Sequence, residues 1–167
     1  MSENKTVDIL KSAILLEMRG IAFYSQVASQ TDNDQVREFF EMMAREEEEH
    51  RDILKNQLGF YSSEHKFKKD SWSSDKNSQV AGKIMNEKII GSISAAGYEA
   101  AAIGAAINME KAAVDLYSQR ARESNDPVEK VLYKWLSEWE SVHLTELQQM
   151  DKQLKESIWT DNNFWPF

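Results

Sequence analysis

The sequence predicts an all-α protein, an antiparallel four-helix bundle with one long crossover between the second and third helices. Three observations predict it. Apolar residues recur at steps of three and four through four long segments. Only two prolines occur, Pro127 and Pro166, so little interrupts those segments. The connections run short, long, short, which is the signature of paired helical hairpins joined by a crossover.

The first helix is marked by Leu10, Ile14, Glu17, Ile21, Tyr24 and Ala28 on one face. "QTDND" (30–34) follows, rich in turn and helix-capping residues. The second helix carries Val36, Phe39, Phe40, Met43, Glu47, His50 and Leu54, and Gly59 is expected to end it. Residues 59–95 form the crossover. Their serine- and lysine-rich part, 59–80, shows no steady period, and a short helix is expected near 80–90. Helical spacing resumes near Gly97 with Ile103, Ile107, Glu110, Val114, Tyr117 and Ala121. "ESNDP" breaks it, placing Pro127 at the first position of the last helix. That helix presents Val131, Leu132, Trp135, Leu136, Glu140, His143, Leu147 and Leu154. An aromatic tail, about 157–167, is expected to fold back on the body or onto a partner. The 167 residues form one domain, large enough to bury a core.

Composition narrows the chemistry. A net charge of −8 argues against a nucleic-acid partner. With no cysteine, thiolate zinc sites, iron–sulfur clusters, disulfides and cysteine nucleophiles all drop out. The opening "MSENKTVDIL" shows no basic region followed by an apolar core, so a cytoplasmic protein is expected. The most apolar stretch, "SAAGYEAAAIGAAINM", carries Glu99 and makes a poor membrane span.

The chain contains an internal repeat. Sliding it by 93 positions superposes Ala13–Ile14 on Ala106–Ile107, Glu17 on Glu110, and "YSQ" (24–26) on "YSQ" (117–119). Ala28 meets Ala121, Glu47 meets Glu140, His50 meets His143 and Leu54 meets Leu147. Ten of the 42 positions from 13 to 54 are identical, where average residue usage gives roughly two or three by chance. The repeat sorts the run "REEEEH" (45–50). Glu46, Glu48 and Glu49 face Trp139, Ser141 and Val142, and read as an ordinary solvated or salt-bridged face. Glu47 and His50 keep their chemistry in both copies.

Glu47 and His50 are three apart and share a helix face. That face continues the apolar stripe, as it does for Glu140 and His143, and Glu17 and Glu110 interrupt stripes of their own. Four carboxylates and two imidazoles therefore point into the bundle. An unpaired buried carboxylate costs several kcal/mol, against a domain stability on the order of 10 kcal/mol. Protonation, a lysine or arginine partner, or a metal would relieve it, and the inward faces offer no obvious lysine or arginine. Two divalent cations would balance four carboxylates. Oxygen-rich ligation with one imidazole per metal suits iron, or manganese as a substitute, better than structural zinc. His65, among lysines in the crossover, is expected to be solvated. Glu99 lies about 16 Å from Glu110 by helix rise, too far to share a metal with it.

Glu17, Glu110, "EEEH" (47–50) and "ESVH" (140–143) match one arrangement, a Glu from each of two helices and a Glu-x-x-His from each of the other two. Through these residues the chain resembles the ferritin-like superfamily, and most closely rubrerythrin-type di-iron domains, outside the crossover and the tail. The resemblance implies that Glu47 and Glu140 bridge two irons, that Glu17 and His50 complete one, and that Glu110 and His143 complete the other. It further implies that Tyr24 and Tyr117 hydrogen-bond to site carboxylates and take part in catalysis. The implied activity is redox, with peroxide or dioxygen reacting at the ferrous pair as in a peroxidase or ferroxidase, in a homodimer. Rubrerythrins proper carry a four-cysteine rubredoxin, and this sequence has no cysteine, so electrons from another protein, an external donor, or from a small reductant are implied. They also place a further glutamate one turn after the third-helix ligand, where this chain has Ala113, so its site resembles the symmetric four-Glu, two-His form. Iron storage or handling is the alternative reading. A bundle in which metal only adds folding energy is a third.

Overall fold

A computed structural model describes residues 3–69, 93 and 97–160. The expected short helix near 80–90 and the end of the aromatic tail lie outside them. Among the described residues four helices make up the fold: α1 (Glu3–Gln30), α2 (Asp34–Glu64), α3 (Tyr98–Glu123) and α4 (Pro127–Thr160). α1 packs along α2 and α3 along α4, each pair an antiparallel hairpin. Between the hairpins the backbones stand farther apart, and the polar residues sit in that seam.

The turns are built alike. Asn33 caps α2, its side-chain oxygen accepting from the Gln35 and Val36 amides at 3.1 and 3.2 Å. Asp126, 93 residues on, does the same for α4 through the Val128 and Glu129 amides at 2.7 and 3.1 Å. Each cap satisfies amides that would otherwise lack partners at a helix start. Asn33→Ala is expected to cost about 1 kcal/mol, lowering the melting temperature by roughly 2–4 °C in thermal circular dichroism. The second turn also holds a buried ion pair. The Arg120 Nε donates to Glu129 at 2.7 Å, and the Ser124 hydroxyl donates to the same carboxylate at 2.6 Å.

Two apolar cores lie at opposite ends of the bundle. One gathers Tyr24, Phe39, Phe40, Met43, Ile103, Leu147 and Leu154. The other gathers Leu10, Ile14, Leu54, Tyr117, Leu132, Tyr133 and Leu136. The repeat is visible in their packing. Tyr24 stacks on Phe40 with ring centroids 6.0 Å apart, and their counterparts Tyr117 and Tyr133 stack at 5.9 Å. Phe67, just after α2, is buried in the second core, and Ile93, before α3, in the first. The crossover therefore connects opposite ends of the bundle, and α2 and α3 run in the same direction.

Three expectations are corrected. Gly59 does not end α2. The helix continues to Glu64 and is closed by His65 in the left-handed conformation (φ 54°), its amide donating to the Tyr61 carbonyl at 2.9 Å. A helical glycine costs only about 1 kcal/mol, and neighbouring Leu58 and Tyr61 pack against the core. The crossover accordingly begins after Glu64, and its first residues are not a solvated loop. Phe67 is buried, and the Gln57 side chain clasps the Lys68 backbone from both sides at 2.9 and 3.0 Å. Val131 is exposed, because the stripe of α4 turns through Leu132, Tyr133 and Leu136 instead.

Candidate metal centre

Between the two cores lies a buried polar layer. Glu17, Glu47, His50, Glu110, Glu140 and His143 are all at most 4% exposed. Each comes from the middle of its helix, where the apolar stripe would otherwise continue. The structure brings all six together, and their ligand atoms form two groups. One comprises Glu17, Glu47, His50 and Glu140, the other Glu47, Glu110, Glu140 and His143. Within each group the donor atoms lie within 4.8 Å of one another. Glu47 and Glu140 belong to both.

Both imidazoles aim Nδ1 into the layer. His50 Nδ1 is 2.9 Å from Glu140 and 3.6 Å from Glu17 and Glu47. His143 Nδ1 is 3.4, 3.6 and 3.8 Å from Glu140, Glu47 and Glu110. Proximity is not pairing here. Both Glu140 oxygens and both Nδ1 atoms are buried without a hydrogen-bond partner among the described residues. Such groups are rare in folded proteins and call for an explanation. A cation between them supplies it, and the donor set of carboxylate oxygen and imidazole nitrogen suits one.

The tyrosines reach across the seam. The Tyr24 hydroxyl donates to Glu110 and the Tyr117 hydroxyl to Glu17, so each ties α1 to α3. The expected tyrosine–carboxylate contacts are present, each with the carboxylate of the opposite hairpin. Burial, then the adjacent carboxylate, pushes both phenols well above their usual range, so they remain donors.

Protonation divides the layer. Burial, followed by Glu47, raises Glu17 to about 8. Burial, with Glu140 and Glu47, raises Glu110 well above the carboxylate range. Burial, and for Glu47 the Glu140 charge, act against ionisation of Glu47 and Glu140, but the neighbouring Glu17 carboxyl and histidine rings hold Glu47 below its ordinary value, and the His50 charge does so for Glu140. Burial disfavours the charged imidazoles, yet the surrounding carboxylates, Glu140 foremost, raise both well above 6.5. Without metal the layer thus favours protons on Glu17 and Glu110 and on the two imidazoles, and charge on Glu47 and Glu140. The histidines themselves supply positive charge beside the carboxylates of the layer.

The layer has two unlike sides. Between α1 and α3 a cleft is lined by Leu16, Gly20, Met109 and Ala113 together with the four carboxylates of the layer. Leu16 matches Met109 in the repeat, and Gly20 matches Ala113. A Cβ on Gly20 would sit 3.3 Å from Glu47 Cγ, so the glycine lets α1 approach that carboxylate closely. Between α2 and α4 the side is closed by Trp135 and Trp139, edge-on to His50 with centroids 5.6 and 5.4 Å away.

Glu46 departs from its expected role. Glu48 and Glu49 are exposed, as the repeat suggests. Glu46 is turned toward α4 and hydrogen-bonds Nε2 of His143, which holds its carboxyl below the usual range despite burial. The 93-residue comparison discarded it because its counterpart is Trp139. His65, exposed at the C-cap, and Glu99, which accepts from Thr31 Oγ1 at 2.9 Å, lie outside both groups.

No helix among the described residues is long and apolar enough to cross a membrane. No curated protein and no solved structure matches the chain. The rubrerythrin family model matches residues 8–151, taking in all six residues of the buried layer, and the chain belongs to the rubrerythrin family with its ferritin-like di-iron carboxylate domain.

Proposed function

We propose that the chain is a non-haem di-iron redox protein that reduces peroxide or dioxygen. The observation that carries this reading is the buried layer itself, in which two donor groups share Glu47 and Glu140 while Glu140 and both Nδ1 atoms lack partners. Glu17 and His50 would complete the position on one side, Glu110 and His143 the other, and Glu47 and Glu140 would lie between. Iron, or manganese in its place, would supply two one-electron steps to a small oxidant.

The chain's residues supply the rest. Tyr24 and Tyr117 hold Glu110 and Glu17 by their hydroxyls and stand within reach of protons moving at those oxygens. The small Gly20 and Ala113 line the α1–α3 cleft beside Glu17 and Glu110, the side from which a small oxidant would approach the carboxylates. The two cores and the tryptophans keep bulk water from the histidine side. Reducing hydrogen peroxide to two waters takes two electrons and two protons. In this reading a donor protein or a small reductant would supply the electrons. A homodimer in the cytoplasm is the working form of this reading.

Freshly purified protein should carry two iron ions per chain by elemental analysis. Anaerobic ferrous protein should consume one peroxide per two irons, followed by loss of ferrous iron, and should retain the oxidised iron. Iron released into a mineral within a high-mass shell would support storage instead. Protein of full stability that takes up no metal would end the redox reading.

A further inference from the structure

Glu46 and Trp139 occupy matching positions of the two halves, 93 residues apart, and they touch. The Trp139 indole Nε1 donates to Glu46 Oε2 at 3.4 Å. Each also meets the histidine of the opposite hairpin. Glu46 binds Nε2 of His143, and Trp139 lies perpendicular to the His50 ring at 5.4 Å. The outer nitrogens of the two histidines are therefore treated differently. His143 Nε2 has a carboxylate behind it. His50 Nε2 is buried and has no hydrogen-bond partner among the described residues. The inner halves of the layer are matched residue for residue, so this is where the two donor groups diverge.

We propose that Glu46 is a positioning residue that makes the two metal positions unequal, so that the His143 position binds its ion more tightly and fills first. A histidine ligand whose second N–H donates to a carboxylate is fixed in one tautomer and one orientation, and its ligating nitrogen becomes more basic. His143 has this arrangement with Nδ1 facing Glu47, Glu110 and Glu140. On its outer side His50 meets, among the described residues, the edges of Trp135 and Trp139, which fix the ring plane without adding basicity. Loss of such an outer partner lowers metal affinity by about 10- to 100-fold. Because one histidine has the partner and the other does not, the same factor separates the two positions within a single chain. Glu46 is itself partly exposed, so a neutral amide there does not leave a cavity in the core.

The inference rests on the two-ion reading, and one experiment separates the two. The full metal-free chain is titrated anaerobically with cobalt(II), following heat and the visible absorbance of bound cobalt, for the natural protein, Glu46→Gln and Glu46→Asp. The natural protein is expected to bind two ions in two steps whose constants differ about 10- to 100-fold. Glu46→Gln should weaken the first step by that factor, leave the second in place and change the spectrum of the first-bound cobalt. Glu46→Asp should recover part of the separation. Two equal steps in the natural protein, or equal weakening of both steps in Glu46→Gln, overturns the inference while leaving the two-ion reading intact. A natural chain that binds fewer than two ions overturns that reading and the inference with it.

Discussion

Glu47→Ala is expected to lower bound metal from two ions to about one or fewer per chain, because Glu47 contributes an oxygen to both donor groups. His50→Ala should act in the same direction through a single group. Glu48→Ala, one residue away and exposed, should leave metal content unchanged. Glu47 is buried between the two donor groups. Circular dichroism checks that the metal-free variant folds, so that the loss of metal reports ligation rather than collapse. Equal loss in Glu48→Ala would show that the wrong face of α2 had been assigned.

The second large effect is on stability against pH, with opposite consequences for metal-free and metal-loaded protein. Glu17 is raised from 4.5 to about 8. The folded chain holds a proton there that the unfolded chain has released, so this contribution is complete below about 4.5 and vanishes as pH rises through about 8. His50 and His143, also raised, stabilise fully below about 6.5 and lose that contribution at higher pH. Glu47 and Glu140 are depressed, so they stabilise above about 4.5 and fail as the solution becomes more acidic. On these groups metal-free protein should be most stable near pH 4.5, and its melting temperature should fall by several degrees toward pH 9.

Metal binding displaces those protons, so its affinity rises with pH. Ferrous or manganous ion at about 1,000 times its dissociation constant contributes about 4 kcal/mol, on the order of 10 °C for a chain of this size. The gap between loaded and chelator-treated protein in calorimetry should widen from pH 6 to pH 8. A metal-free melting temperature that climbed over the same range would contradict the protonation pattern of the layer.

The helices and the six buried polar residues were legible in the sequence because two independent periodicities converge on them. The three-to-four spacing places Glu47 and His50 on the apolar face, and the 93-residue repeat selects them from "REEEEH". What escaped was local or asymmetric. Gly59 reads as a stop, but helix contacts around it outweigh its modest propensity cost. Val131 and Tyr133 flank Leu132, and packing against Tyr117 decides in favour of the tyrosine. Glu46 was missed for a different reason. A comparison that keeps identities discards a residue whose value lies in lacking a counterpart. The protonation of the metal-free layer was also hidden, since proton sharing between histidines and carboxylates depends on distances that no spacing supplies.

The matched turns, stacked rings and paired cleft residues have an evolutionary consequence. A chain of this form is what tandem fusion of one ancestral hairpin produces. In two separate, identical hairpins any substitution behind one histidine would appear behind the other. Joining them in one polypeptide removes that constraint. Position 46 can then hold a glutamate while position 139 holds a tryptophan.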